Sequence, residues 1–316
     1  MTGKQLRIVF MGTPEFAVPS LRRLVEEGYN VVAVVTAPDK PAGRGQKLHE
    51  SDVKVAAREL GLPVLQPERL KAPEFVEAMR DLKPDLGIVI AFRMLPEVIW
   101  AMPRYGTFNL HASLLPQYRG AAPINWAIIN GETRTGVTTF LLNHEIDKGA
   151  IIAQTEMPIG EDDTVGTMYD KLMHEGCRLV TETVDKIASG DYKPIEQADI
   201  DETTLRPAPK IFKWTGRRIV DFVRGLSPYP AAWMALSRMH DGTQEQTSAK
   251  VFEVRFEPED NVGETGRIIC DGRESIAVTC ADGVVHILSM QMAGKRRMSN
   301  HDLLLGLKDL DSYHCE

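Results

Sequence analysis

The feature that most limits what this chain can fold into is an alternation of short apolar runs with helically spaced stretches over its first 90 residues. Leu6–Met11 (LRIVFM), Asn30–Thr36 (NVVAVVT) and Leu86–Ala91 (LGIVIA) are strand-length and rich in Val and Ile. Between them, Pro14–Glu27 sets Phe16, Leu21, Leu24 and Val25 at helical spacing, and Val53–Leu60 reads as a second helix stopped by Gly61. Strands that are apolar at nearly every position must be buried on both faces, and a parallel sheet covered by helices on both sides buries them. The alternation therefore predicts an α/β fold over residues 1–190, a Rossmann-like doubly wound parallel sheet.

The pattern changes after residue 190. Gly190, Pro194, Pro207 and Pro209 punctuate a stretch poor in apolar residues, so 191–210 reads as a linker. A helix from Ile211 runs to the turn Ser227-Pro228-Tyr229-Pro230. The short runs Val251–Phe256, Gly266–Cys270, Ser275–Thr279 and Val284–Ser289 follow, separated by Gly and Asp. That spacing predicts a smaller C-terminal β-barrel domain, OB-like, over 211–316.

Composition narrows the class. With 43% hydrophobic and 26% charged residues, the 316-residue chain has the make-up of a globular protein. No apolar run approaches the ~18 residues of a membrane span. The start runs directly into Leu-Arg-Ile-Val-Phe without a signal-peptide pattern, so a cytoplasmic location without a membrane partner is expected. Cys177, Cys270, Cys280 and Cys315 are scattered without a C-x-x-C pair, which argues against both a disulfide framework and a structural zinc site, and no metal is expected. A monomer is the default expectation. The net charge of -7 excludes a protein that is basic all over, but it averages unlike regions. Leu141–Thr203 holds five cations against fifteen acids, whereas Leu205–His240 holds seven cations and one acid. A positive surface aimed at one anionic partner is compatible with that distribution.

The turn after the first strand invites a dinucleotide reading, but G-x-G-x-x-G is absent and Pro14-Glu15 opens the helix. An acid there opposes a pyrophosphate, so Thr13 or Pro14 is expected merely to cap the helix. Thr107–Gly149 carries the chemistry. In Phe108-Asn109-Leu110-His111-Ala112-Ser113 the alternation sends Asn109, His111 and Ser113 to one side of a strand end, where open parallel sheets bind ligands. A Pro- and Gly-shaped loop follows (Leu114–Gly120), then a helix over Ala121–Asn130 and a strand over Gly136–Leu142. The loop Asn143–Gly149 could then return Asp147 beside His111. Taken singly, each residue has an ordinary structural reading: a satisfied imidazole, a turn-forming Asp, an Asn capping backbone.

The string FNLHASLLPQYRGAAPINWAIINGE, followed by DKGAIIAQ, resembles the folate-dependent formyltransferases that act on amines. The likeness continues through FMGTPEFAVPSL (10–21), TAPDKPAGRGQKL (36–48), SPYPAAW (227–233) and AGKRRMS (293–299), and so covers most of the chain. It implies direct transfer of the formyl group of 10-formyltetrahydrofolate, the co-substrate, to an amine through a tetrahedral intermediate. Asn109 and a protonated His111 would stabilise the oxyanion, where one donor is typically worth ~100- to 1000-fold in rate. Asp147 would favour the imidazolium and assist removal of the amine proton. Ser113, Leu114, Leu115 and Pro116 would line the folate cleft, with Phe92 and Leu95 as walls of the pterin pocket. Members of the family commonly carry a Gly shortly after that aromatic, whereas Arg93 follows Phe92 here.

Within the resemblance the expected acceptor is methionyl-initiator-tRNA, with an amino-sugar nucleotide as the alternative. Asp39–Lys47 resembles the insertion loop with which the tRNA-directed branch contacts the acceptor end, and its two glycines with Pro41, preceded by Pro38, suggest a mobile loop. Lys40, Arg44 and Lys47 would face phosphate there, and Lys210, Arg217, Arg218, Lys295 and Arg296 would do so on the second domain. Around Ile211–Ile219 the chain is shorter than members carrying an extra segment. A non-catalytic RNA-binding protein on the same scaffold would lack at least one of Asn109, His111 and Asp147, and all three are present.

Overall fold

The structure, a computed structural model, describes residues 2–42, 47–120, 122–197, 214–240, 243–260, 262–307 and 309–315. The first half runs β1 (Ile8–Gly12), α1 (Val18–Glu26), β2 (Val31–Val35), β3 (Lys40–Ala42), β4 (Lys47–His49), α2 (Asp52–Glu59), β5 (Val64–Leu65) and α3 (Pro73–Asp81). It continues through β6 (Leu86–Ile90), α4 (Glu97–Trp100), β7 (Thr107–His111), α5 (Pro123–Ile129), β8 (Arg134–Leu141), β9 (Ile151–Pro158) and α6 (Val165–Ser189). Every residue of β1 and β6 is buried, as continuous apolar runs require.

Seven strands form one sheet in the order β5-β2-β1-β6-β7-β8-β9. The first five are parallel, as the alternation predicted, while β8 and β9 add an antiparallel edge. The β8–β9 connection, residues 142–150, is shorter than the dozen or so residues a parallel crossover needs. Strand order reverses between β1 and β6, and this switch point opens a crevice at the carboxyl ends of the central strands. Gly12 is demanded by packing there: a Cβ would lie 2.9 Å from the Ala17 Cβ and 3.0 Å from the Ile90 carbonyl oxygen. A single 3-10 turn over Glu15–Ala17, with Pro14 at its cap position and no side-chain hydrogen bond there, leads into α1, whose own cap position is Ala17 rather than Thr13 or Pro14. Ser51 caps α2, its hydroxyl accepting from the Lys54 amide.

The second half comprises α7 (Gly216–Arg224), β10 (Ala232–His240), β11 (Thr243–Pro258), β12 (Ile268–Cys270), β13 (Ile276–Cys280), β14 (Gly283–Met292), α8 (Asn300–Gly306) and β15 (His314–Cys315). Its six strands pair antiparallel in the order β12-β13-β14-β11-β10-β15. A further antiparallel bridge from His314 to Arg267, just before β12, brings the two edges together into a barrel-like sheet. Leu236, Ala249, Val251, Ile268, Ile276, Ile287 and Met290 fill its interior, and Val223 of α7 joins them.

Contacts divide the chain into two compact units: Met1–Pro123, Arg134–Pro158 and Tyr169–Ile200 in one, Ile124–Thr133, Ile159–Met168 and Asp201–Glu316 in the other. The second thus contains most of α5, where the Asn125 amide donates to the Gly225 carbonyl at 2.6 Å. Most of the segment expected as a linker, 198–210, lies outside the described residues. Among the described residues no helix is long and apolar enough to cross a membrane.

Candidate active site

The period-2 geometry of β7 places Asn109 and His111 on one side of the sheet's carboxyl edge, two positions from the strand end and at it. The Asn109 Oδ1 is buried and has no hydrogen-bond partner among the described residues. An unpaired buried amide oxygen costs about 1–3 kcal/mol, so its retention at a strand end points to an incoming group that completes it. His111 is buried, and its Nε2 lies 2.8 Å from the Tyr118 carbonyl oxygen. A carbonyl only accepts, so Nε2 carries a proton and donates it there. The other ring nitrogen, Nδ1, faces Asp147 with 3.9 Å to Oδ2.

Asp147 reaches this position from the β8–β9 connection. Its backbone adopts the left-handed region, φ 52°, which an Asp tolerates better than most residues. Gly149 closes the turn, since a Cβ there would come within 1.6 Å of the Leu141 carbonyl oxygen. The Asp147 Oδ2 accepts from the Gly120 amide at 2.7 Å. His111 and Asp147 are therefore both held by the backbone of one loop, at Tyr118 and Gly120.

That loop is shaped from within. Ser113 is buried and donates to the Gln117 carbonyl at 2.7 Å, while its own carbonyl accepts from the Thr138 hydroxyl at 2.6 Å. The Thr138 oxygen accepts from the Leu115 amide, and Gln154 donates to both the Leu115 carbonyl and Thr138. Leu115 packs with Phe140 and Ile151, which leaves Leu114 and Pro116 half-buried. At the switch point, Phe92 is half-buried with the Arg93 guanidinium over its ring, 5.5 Å from the centroid. Leu95 turns into the core with Val9, Phe75, Val89 and Ile99.

With this geometry in view, the comparisons with known proteins decide the family. The formyl transferase family matches residues 6–184, and the formyl transferase C-terminal domain matches residues 210–308. The chain belongs to the formyl transferase family.

Among its relatives, the methionyl-tRNA formyltransferase of Bacteroides thetaiotaomicron is 54% identical over 322 aligned positions, covering 99% of each chain. That of Bacteroides fragilis is 55% identical over 315, covering 97% of this chain and 96% of the other. Of the solved structures, an N-formyltransferase from Helicobacter canadensis, in complex with folinic acid and dTDP-3-aminofucose, shares the fold with a TM-score of 0.63 at 20% identity. The match covers 93% of this chain and 100% of that one.

The cations expected to serve the acceptor divide sharply in this formyltransferase. Residues 40–42 pair with 47–49 as an antiparallel ladder, Lys40 opposite His49 and Ala42 opposite Lys47, at the two ends of the segment 39–47 expected as a mobile loop. Asp39 anchors its base, bonded to Lys54 and to the Gln66 amide, and these partners hold its carboxyl below the usual carboxylate range. Arg44 and Lys210 lie outside the described residues.

Within the barrel unit, Arg217 is exposed and pairs with Asp221 at 3.4 Å, while Arg218 lies over the Trp214 ring, 4.5 Å from its centroid. Arg224 is buried, bonded to the Gly160 and Glu161 carbonyls and to Asp221, and Arg238 is held by Glu245 and Asp309. Both were counted in the basic stretch, and both are structural. Lys295 and Arg296 are exposed and make no ion pair among the described residues; Arg296 and Arg297 line a cleft of about 410 Å³ with Ser299.

Sequence reasoning passed over Gln197, which it placed in the linker. The Gln197 Nε2 donates to the carbonyls of Asp147 and Gly149, at 2.9 and 2.7 Å. A glutamine that bonds to backbone carbonyls leaves no periodic trace, and only its closeness to the end of α6 could have drawn attention to it.

Proposed function

We propose that this formyltransferase carries the formyl group of 10-formyltetrahydrofolate to the amino group of methionyl-initiator-tRNA, acting in the cytoplasm as a monomer and without a metal. The convergence of Asn109, His111 and Asp147 at the carboxyl edge of β7 supports this reading above all other observations. The co-substrate, when bound, supplies an electrophilic formyl carbon. Half-buried Phe92, Leu114 and Pro116 offer apolar surface suited to a pteridine ring, and buried Ser113, Leu115 and Leu95 hold that surface in place from beneath.

The Asn109 amide nitrogen donates to the developing oxyanion, while its unpaired Oδ1 accepts an N–H from the attacking amine. His111, protonated at Nε2 and fixed by Tyr118, sets the orientation of the ring face next to the reacting carbon. The Asp147 Oδ2 is engaged by Gly120, which leaves Oδ1 to take the proton released by the amine and to return it to N10 of tetrahydrofolate as the bond from the formyl carbon to N10 breaks. Lys40, Arg44, Lys47, Lys210, Arg217, Arg218, Lys295 and Arg296 meet the acceptor's phosphates.

Methionyl-tRNA is favoured over an amino-sugar nucleotide because relatives above 50% identity carry the methionyl-tRNA name, whereas the sugar-directed structure stands at 20%. The test is to incubate the protein with 10-formyltetrahydrofolate and either methionyl-tRNA or a dTDP-amino sugar, and to identify the product by mass spectrometry. Formylmethionyl-tRNA is the expected product. A formylated sugar in its place moves the acceptor assignment, and neither product removes the transfer reading.

A further inference from the structure

We infer that Gln197 is a positioning residue for the transfer reaction, a clamp that fixes the Asp147 loop to the loop holding His111. The inference rests on the formyl-transfer reading above. Gln197 follows α6 in a segment whose course is set by one antiparallel bridge. Ile151 and Ile195 exchange both backbone hydrogen bonds, at 2.8 and 2.9 Å, two residues before Gln197. From there the side-chain amide spans two loops. Its Nε2 donates to the Asp147 and Gly149 carbonyls, and its Oε1 accepts from Arg119 Nε at 3.1 Å and Nη2 at 3.0 Å. Two donor hydrogens and two lone pairs are thereby all engaged, the full capacity of a carboxamide. A glutamate of the same shape has no hydrogen for the two carbonyls.

The groups joined in this way are those that orient the candidate catalytic pair. Arg119 stands between Tyr118, whose carbonyl accepts the hydrogen bond from His111 Nε2, and Gly120, whose amide donates to the Asp147 carboxylate. Asp147 sits at φ 52°, a conformation that costs a non-glycine residue about 1–3 kcal/mol and persists only where the surroundings over-determine it. Gly120 restrains its side chain and Gln197 restrains its backbone. With Gln197 removed, the Asp147–Gly149 turn loses both of these bonds to its carbonyls, and the 3.9 Å approach to His111 loosens. Displacing a catalytic group by about 1 Å is enough to cost on the order of 100-fold in rate.

The test compares Gln197→Ala, Gln197→Glu, Asp147→Asn and the double variant Asp147→Asn/Gln197→Ala as full-length protein, with 10-formyltetrahydrofolate and methionyl-tRNA. Gln197→Ala is expected to lower kcat roughly 10- to 100-fold. KM for either substrate is expected to stay within about twofold, because the Gln197 carboxamide is fully engaged by protein groups and has no bond left for a substrate. Gln197→Glu is expected to lose as much, and it supplies the same comparison should the alanine chain melt below the assay temperature.

In the Asp147→Asn background the Gln197→Ala change is expected to add nothing, the signature of a residue that acts through another. Three results would overturn the inference: kcat near normal for Gln197→Ala while Asp147→Asn is slow, a full additive loss in the double variant, or a rise confined to KM. An inactive wild-type chain overturns instead the transfer reading on which it rests.

Discussion

The rim at the ends of β6 and β7 and the cation-bearing surface of the barrel unit hold their polar side chains in different ways. At the rim, backbone groups do the holding: Tyr118 and Gly120 fix His111 and Asp147, and the Thr138–Ser113–Leu115 bonds fix the loop beneath. In the barrel unit the cations are held chiefly by acidic side chains: Asp221 takes Arg217 and Arg224, the latter also bonded to two carbonyls, while Glu245 and Asp309 take Arg238. Backbone geometry follows from strand ends and turns, so a residue's place in the motif indicates its environment. A cation's environment depends on which acid lies near it in space, and a charge count cannot supply that.

The largest expected effects lie at the rim. Asp147→Asn and Asn109→Ala are each expected to lower kcat by roughly 100- to 1000-fold. Asn109→Ala is also expected to leave the melting temperature unchanged or raised, since it deletes a buried oxygen that has no partner. Rates and melts measured on one preparation check both parts, and near-normal transfer by either variant would break the assignment of the rim.

Next in size is Arg224→Ala, which leaves Asp221 buried beside one half-exposed cation. A loss of about 3 kcal/mol is expected, as for other broken buried ion pairs, read as a lower urea midpoint with tRNA affinity little changed at temperatures where the protein remains folded. Arg296→Ala is the converse case. Stability should stay within about 0.5 kcal/mol, while the slope of log affinity for tRNA against log salt should fall by about 1. Should Arg224→Ala act on the salt slope and Arg296→Ala on the urea midpoint, the division between structural and partner-facing cations is reversed.

Much of the rim was legible before the structure, and for physical reasons. All-apolar strands have one way to be buried, so β1, β2 and β6 fell within a residue or two of their runs, and alternation along β7 placed Asn109 and His111 together. What escaped lacked such a signal. Val64–Leu65 is too short to show a period, and the antiparallel edge depends on where the chain returns rather than on composition. The hairpin flanking residues 43–46 was hidden by Pro41, Gly43 and Gly45, which read as breakers. In the barrel unit the runs themselves were visible, but Arg217 and Arg224 look alike in sequence and differ only in that the second turns inward to the Gly160 and Glu161 carbonyls.

The smallest expected effect tests whether backbone tethering acts alike in both regions. Asp271, in the turn between β12 and β13, has one carboxylate oxygen accepting from the amides of Arg273, Glu274 and Ser275 at 2.8, 2.9 and 2.9 Å. Those donors favour the charged form and lower its pKa to about 2, against roughly 4 for an unfolded aspartate. Since the folded value is the depressed one, the contribution is fully present above about pH 4 and disappears as pH falls toward 2. Asp271→Asn is expected to flatten the melting temperature against pH across that window and to leave the curve above pH 5 parallel to wild type. An unchanged acid limb would mean that the three amides do not hold the carboxylate in solution. Backbone tethering would then be a property of the sheet rim, where Gly120 and Gln197 hold the Asp147 turn, and not of exposed barrel turns.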